Sequence, residues 1–65
     1  MNIWLNGAQK EVDAADITQL IQSLGLPAAA LLVEHNGLAL HRDEWPQRSL
    51  QDGDRIEIIR IVAGG

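Results

Sequence analysis

The sequence closes on Gly64-Gly65, directly behind the apolar run Ile56, Ile58, Ile59, Ile61 and Val62, so a diglycine carboxylate projects from what reads as a strand. Glycine has no Cβ and adopts backbone angles closed to other residues, so such a tail can enter a narrow cleft and offer its carboxylate to another enzyme. At an average glycine usage of about 7%, two closing glycines arise by chance about once in 200 chains. Gly65 carries the reacting carbon in this reading, with Ala63 and Gly64 threading it through a tight entrance. A carboxylate at neutral pH is a poor electrophile, because its charge repels nucleophiles and its oxygen is a poor leaving group. It must be activated before it can react.

The other candidate groups are weaker. His35 and His41 lack a third convergent ligand, so no metal site is expected and both read as surface loop residues. Asp16, Asp43 and Glu44 offer carboxylates that nothing places across a cleft, and Asp16 reads better as a helix cap. Trp45 beside Pro46 reads as a lid over one end of a small core. Lys10, the only lysine, leaves little scope for chain formation through side-chain amides. Cysteine is absent, so thiol chemistry and disulfides are excluded from the chain itself. That absence also leaves no internal thiol to attack an activated terminus.

The 65 residues are read as one domain, 1–65, with a flexible tail over 63–65. A domain this small buries only about 60% of its unfolded surface and has no room for a deep substrate cavity. Function is therefore expected at the surface or the ends, and no cofactor is expected to be bound. Nine acidic residues against five basic ones give a net charge of −4, which opposes binding to a phosphate backbone, so nucleic acid is not an expected partner. The start, Met1-Asn2-Ile3-Trp4-Leu5, lacks a signal-peptide pattern and no run reaches membrane-spanning length, so a cytoplasmic protein with no membrane partner is expected.

The elements that must position the tail are legible from periodicity. Met1, Ile3 and Leu5 alternate with polar or out-of-phase residues as a half-buried strand, and Asn6-Gly7 predicts a hairpin to a partner over Ala8 to Val12. Asp16 followed by Gln19 is a capping-box pattern; Ile17, Leu20, Ile21 and Leu24 form one helical stripe; Gly25 and Pro27 stop it. Leu31 to His35 and Leu38 to Leu40 flank Asn36-Gly37 as a second hairpin. Arg42 to Trp45 predicts a short helical turn ended by Pro46. Gln51-Asp52-Gly53-Asp54 predicts a turn before the last strand, Arg55 to Val62. The class is α+β, with one helix folded across one face of a mixed sheet of four to five strands.

The Asn-Gly hairpin, the capped helix, Val33-Glu34 before Asn36-Gly37, Arg42-Asp-Glu-Trp45, Leu50-Gln-Asp-Gly-Asp54 and Ala63-Gly-Gly65 together resemble the thiamine-biosynthesis sulfur carrier family, ThiS, over essentially the whole chain. His41, where that pattern has proline, and His35, where it often has an apolar residue, depart from it. The resemblance implies a ubiquitin-like β-grasp fold with the last strand in the middle of the sheet. It also implies that a ThiF-like adenylyltransferase uses ATP and Mg²⁺ to adenylate Gly65, that a persulfide built by a cysteine desulfurase converts Gly65 to a thiocarboxylate, and that a ThiG-like thiazole synthase takes up the sulfur. The chain is then a cosubstrate and no enzyme. The small subunit of molybdopterin synthase shares this chemistry, a ubiquitin-like modifier would instead join Gly65 to lysines through an amide, and a non-covalent interaction domain would not need the tail.

Along the last strand Ile56 and Ile58 share one face and Ile59 and Ile61 the other. With the first pair turned to the helix, Ile59 and Ile61 face away with Trp4 and Leu32, and these four are expected to form an exposed apolar docking patch of up to a few hundred Å². Asp52, Asp54 and Glu57 read as a solvated acidic turn and strand face, with long-range steering of partners the alternative.

Overall fold

In the computed structural model the described residues are 1–61. The strands are β1 (Asn2–Leu5), β2 (Ala8–Glu11), β3 (Leu31–His35), β4 (Leu38–Leu40) and β5 (Arg55–Arg60), with one helix, α1 (Ile17–Leu24), and short 3₁₀ turns at Ala28–Ala30 and Arg42–Gln47. They form one five-stranded sheet in the order β2-β1-β5-β3-β4. The last strand thus lies at the centre, parallel to β1 and antiparallel to β3. β5 stops at Arg60 and β2 at Glu11, slightly short of the expected ends, although Val12 still joins Met1 through backbone bonds in both directions.

Local chemistry explains each element. Both Asn-Gly pairs hold positive φ at both central residues, 49° and 81° at Asn6-Gly7 and 50° and 85° at Asn36-Gly37, as a two-residue hairpin whose twist matches its strands requires. At the start of α1 the Asp16 carboxylate accepts from Gln19 N–H at 2.8 Å, and Gln19 Oε1 accepts from Ala15 N–H at 2.9 Å. Ile17, Leu20 and Ile21 turn inward, and Gly25 ends the helix in the left-handed region. The core is Ile3, Ile17, Leu20, Ile21, Val33, Trp45, Ile56 and Ile58 with their neighbours. Trp45 is buried as a lid, and its Nε1 has no partner among the described residues. Pro46 lies inside the 3₁₀ turn, not beyond it, because a turn this short makes few internal bonds for proline to remove.

Two expectations from sequence are corrected. His35 is no loop residue, since it sits in β3 and is 6% exposed, and Asp54 is no solvated steering charge, at 9% exposed. They meet at 2.7 Å between His35 Nε2 and Asp54 Oδ2. Arg48 Nε donates to His35 Nδ1 at 3.3 Å. Arginine only donates, so Nδ1 accepts and Nε2 carries the hydrogen given to Asp54. Asp54 also accepts from Asn36 Nδ2 at 3.0 Å and Gln51 N–H at 2.9 Å. Burial alone would raise the Asp54 carboxyl, but the bonds from Asn36, His35 and Gln51 outweigh it and hold it below the ordinary 3.8.

The side chains of the two turn asparagines grip β5 from opposite sides. Asn6 Oδ1 accepts from Ile58 N–H at 2.7 Å and its Nδ2 donates to Ile58 C=O at 3.2 Å, which extends the β1–β5 ladder past the end of β1. Asn36 Oδ1 accepts from Arg55 N–H at 2.8 Å.

Asn6→Gly keeps a turn that tolerates positive φ and deletes only the clasp, so chemical denaturation should show a loss of about 1–2 kcal/mol. Asp54→Asn should cost about 2–3 kcal/mol by weakening three bonds to a charged acceptor. Because the folded carboxyl lies below its ordinary 3.8, its stabilisation is complete above that pH and fades as pH falls through the lower folded value. Denaturation midpoints measured across this acid range should fall more steeply for the parent than for Asp54→Asn.

Candidate functional site

β5 is the element that leads to Gly65. Its inner residues, Ile56 and Ile58, are buried under α1, while parallel pairing to β1 and antiparallel pairing to β3 fix its path on both sides. At its far end Ile61 N–H still donates to Ala30 C=O at 2.7 Å. The backbone is therefore held to Ile61, four residues from Gly65. Ala63, Gly64 and Gly65, with Val62, lie outside the described residues.

The expected docking residues divide into two places on the outer sheet face. Trp4, Leu32, Ile59 and Ile61 are all exposed, at 44%, 53%, 55% and 50%. Leu32 and Ile59 are direct cross-strand partners, and Ile61 follows Ile59 on the same face, so these three form an apolar group beside the end of β5. Trp4 is the partner of Arg55, at the opposite end of that strand. Four residues of strand, about 13 Å, separate it along β5 from Ile59. Periodicity put the four on one face correctly; the stagger of β1 against β5 keeps Trp4 away from the isoleucines, and alternation along a single strand carries no information about stagger.

Between the two groups lie charges that sequence reading did not connect. Glu34 and Glu57 are direct partners on the same exposed face, with Arg55 two residues from Glu57. The register that brings the glutamates together could have been inferred from hairpin pairing only with β5 already placed beside β3. Asp52 Oδ1 accepts from Asn2 N–H at 2.7 Å, a local tie at the turn. His41 is exposed and precedes the 3₁₀ turn, where its N–H donates to Glu44 Oε1 at 2.8 Å. Among the described residues no three His, Cys, Asp or Glu side chains are grouped as metal ligands, and no helix is long and apolar enough to cross a membrane.

Comparison with known proteins matches this geometry to one family. Residues 3–65 match the ThiS family. The chain is 29% identical over 63 residues to the sulfur carrier protein ThiS of Thermus thermophilus, covering 97% of this chain and 98% of that protein. It is 27% identical over 66 residues to a thiazole synthase of Paramagnetospirillum magneticum, where the match takes in 100% of this chain and 20% of the synthase. The crystal structure of the thiamine biosynthesis protein (ThiS) from Geobacter metallireducens superposes with a TM-score of 0.85 at 33% identity, over 100% of both chains. The central β5, the single helix on the inner face and the match through Gly65 agree with one another: the chain belongs to the ThiS family and has its β-grasp fold.

Proposed function

We propose that the chain is the sulfur carrier of thiamine thiazole synthesis, a protein cosubstrate whose reactive group is the Gly65 carboxylate. The family match running to Gly65 carries this reading. In the first step a carboxylate oxygen of Gly65 attacks the α-phosphorus of ATP on an adenylyltransferase, and Mg²⁺-bound pyrophosphate leaves. A persulfide sulfur then attacks the acyl carbon and AMP departs. A thiol cleaves the resulting S–S bond, leaving a thiocarboxylate on Gly65. Its sulfur is nucleophilic at neutral pH and is passed to thiazole synthase. The Paramagnetospirillum synthase, which contains a segment aligned with the whole of this chain, supports that acceptor. The reaction belongs to the cytoplasm, where ATP and persulfide donors are at hand.

This chain contributes position, not catalysis. Gly64 offers no side chain to the walls of an entrance, and Ala63 offers only a methyl group. From Ile61 the remaining four residues span at most about 14 Å even fully extended, so a partner acting on Gly65 must also cover the sheet near Ile61. Leu32, Ile59 and Ile61 are the apolar contacts that such a partner would bury, with Trp4 a separate contact at the other end of the face.

Incubation with ATP, Mg²⁺, the adenylyltransferase and a sulfur donor should raise the intact mass by about 16 Da, sulfur for oxygen, at Gly65. An unchanged mass on folded protein would sink the carrier reading. Ile59→Asp should fold normally, because Ile59 is exposed, and should lower kcat/KM for adenylation at least tenfold by placing a charge in a desolvated contact. Adenylation at the parental rate would remove the docking patch.

A further inference from the structure

The directly opposed glutamates on the outer face are an unexplained cost in the free chain. Like charges facing each other across a sheet destabilise it, with side chains starting only about 5 Å apart. Glu34 and Glu57 hold this arrangement in the middle of a five-stranded sheet, both exposed. Among the described residues no Lys or Arg nitrogen lies within 4.0 Å of either carboxylate; the one contact of that length between a basic and an acidic side chain is His35–Asp54, on the other face. Arg55, the nearest cation along β5, does not neutralise them. The pair adjoins the apolar group in register, since Glu34 and Glu57 are the next outward residues after Leu32 and Ile59. It therefore continues, on the same face, the apolar group that flanks the end of β5.

From this we infer that Glu34 and Glu57 are the charged half of the contact with thiazole synthase, and that the synthase inserts one arginine or lysine between them. The inference rests on the carrier reading above and names a specificity element within it. One cation accepted by two carboxylates relieves their repulsion and forms charge-assisted bonds, and the planar fork of an arginine suits two facing acceptors. Leu32, Ile59 and Ile61 exclude water beside it, which strengthens the pairing and converts strain in the free carrier into affinity in the complex. The net charge of −4 adds a field that draws a basic surface toward the chain, but the facing pair fixes where that surface must place its cation.

The test uses the unmodified full chain with thiazole synthase and, separately, with the adenylyltransferase of the same organism. The double variant Glu34→Gln/Glu57→Gln should melt higher than the parent, by about 2 °C, because the repulsion is gone. It should nonetheless bind the synthase at least tenfold more weakly, with a shallower dependence of Kd on salt. Asp13→Asn/Asp43→Asn changes net charge equally at exposed sites outside the sheet and should stay within about twofold of the parent. Unchanged synthase affinity in the glutamate variant, an equal loss in the control, or a loss confined to the adenylyltransferase would each overturn the proposal. Failure of Gly65 to gain sulfur would instead count against the carrier reading, because this binding needs no modified terminus.

Discussion

The structure depends on β5 being held on both sides by groups that also make the hairpins. Asn6 and Asn36 each occupy a left-handed position that few residues tolerate, and each then spends its amide on the last strand. The coupling joins local and long-range order. A chain that has closed its two Asn-Gly turns has already built the sockets into which β5 fits, and β5 is the strand with the greatest sequence separation from β1. Its parallel pairing with β1 cannot come from a hairpin and must come from docking.

The polar chain of Arg48, His35, Asp54 and Asn36, buried at its two middle members, extends the same logic. Apolar side chains at these positions would bury more surface without the need for hydrogen bonds, yet they would not specify which turn meets which strand. Asp54 accepts from three elements at once: β3, the turn that follows it, and the turn before β5. Only one register satisfies all of them. The geometry has a further requirement, because a histidine that accepts from arginine at Nδ1 must keep its single hydrogen on Nε2, facing the carboxylate.

What was legible in the sequence follows the range of the interactions. The hairpins, the cap at Asp16 and the stop at Gly25 rest on backbone preferences of adjacent residues, and these appear where periodicity and turn chemistry placed them. The two faces of β5 were legible because alternation is local too. His35 and Asp54 were misplaced because each is polar and next to a turn, and the contact that satisfies both on burial joins residues 19 apart. The stagger that separates Trp4 from Ile59 was hidden for a similar reason. It is set by Asn2, Trp4 and Asn6 meeting the chain between Gly53 and Ile58, a contact that spans nearly the whole sequence. The order of strands came from the family resemblance, and no pattern within one strand supplies it.

A sulfur carrier must be recognised by successive partners while its reacting atom stays free to enter each of their sites. Placing recognition and reaction on one strand meets both demands if the strand is rigid up to the point where the tail begins. β5 is paired on both sides, its inner face carries part of the core, and the Ile61–Ala30 bond extends that support one residue past the strand. Loss of rigidity here would let the outer face and the tail orient independently, and each partner would then have to order the chain as it bound, at an entropic cost of roughly 1–2 kcal/mol per residue fixed. A strand held on both sides up to Ile61 avoids most of that cost.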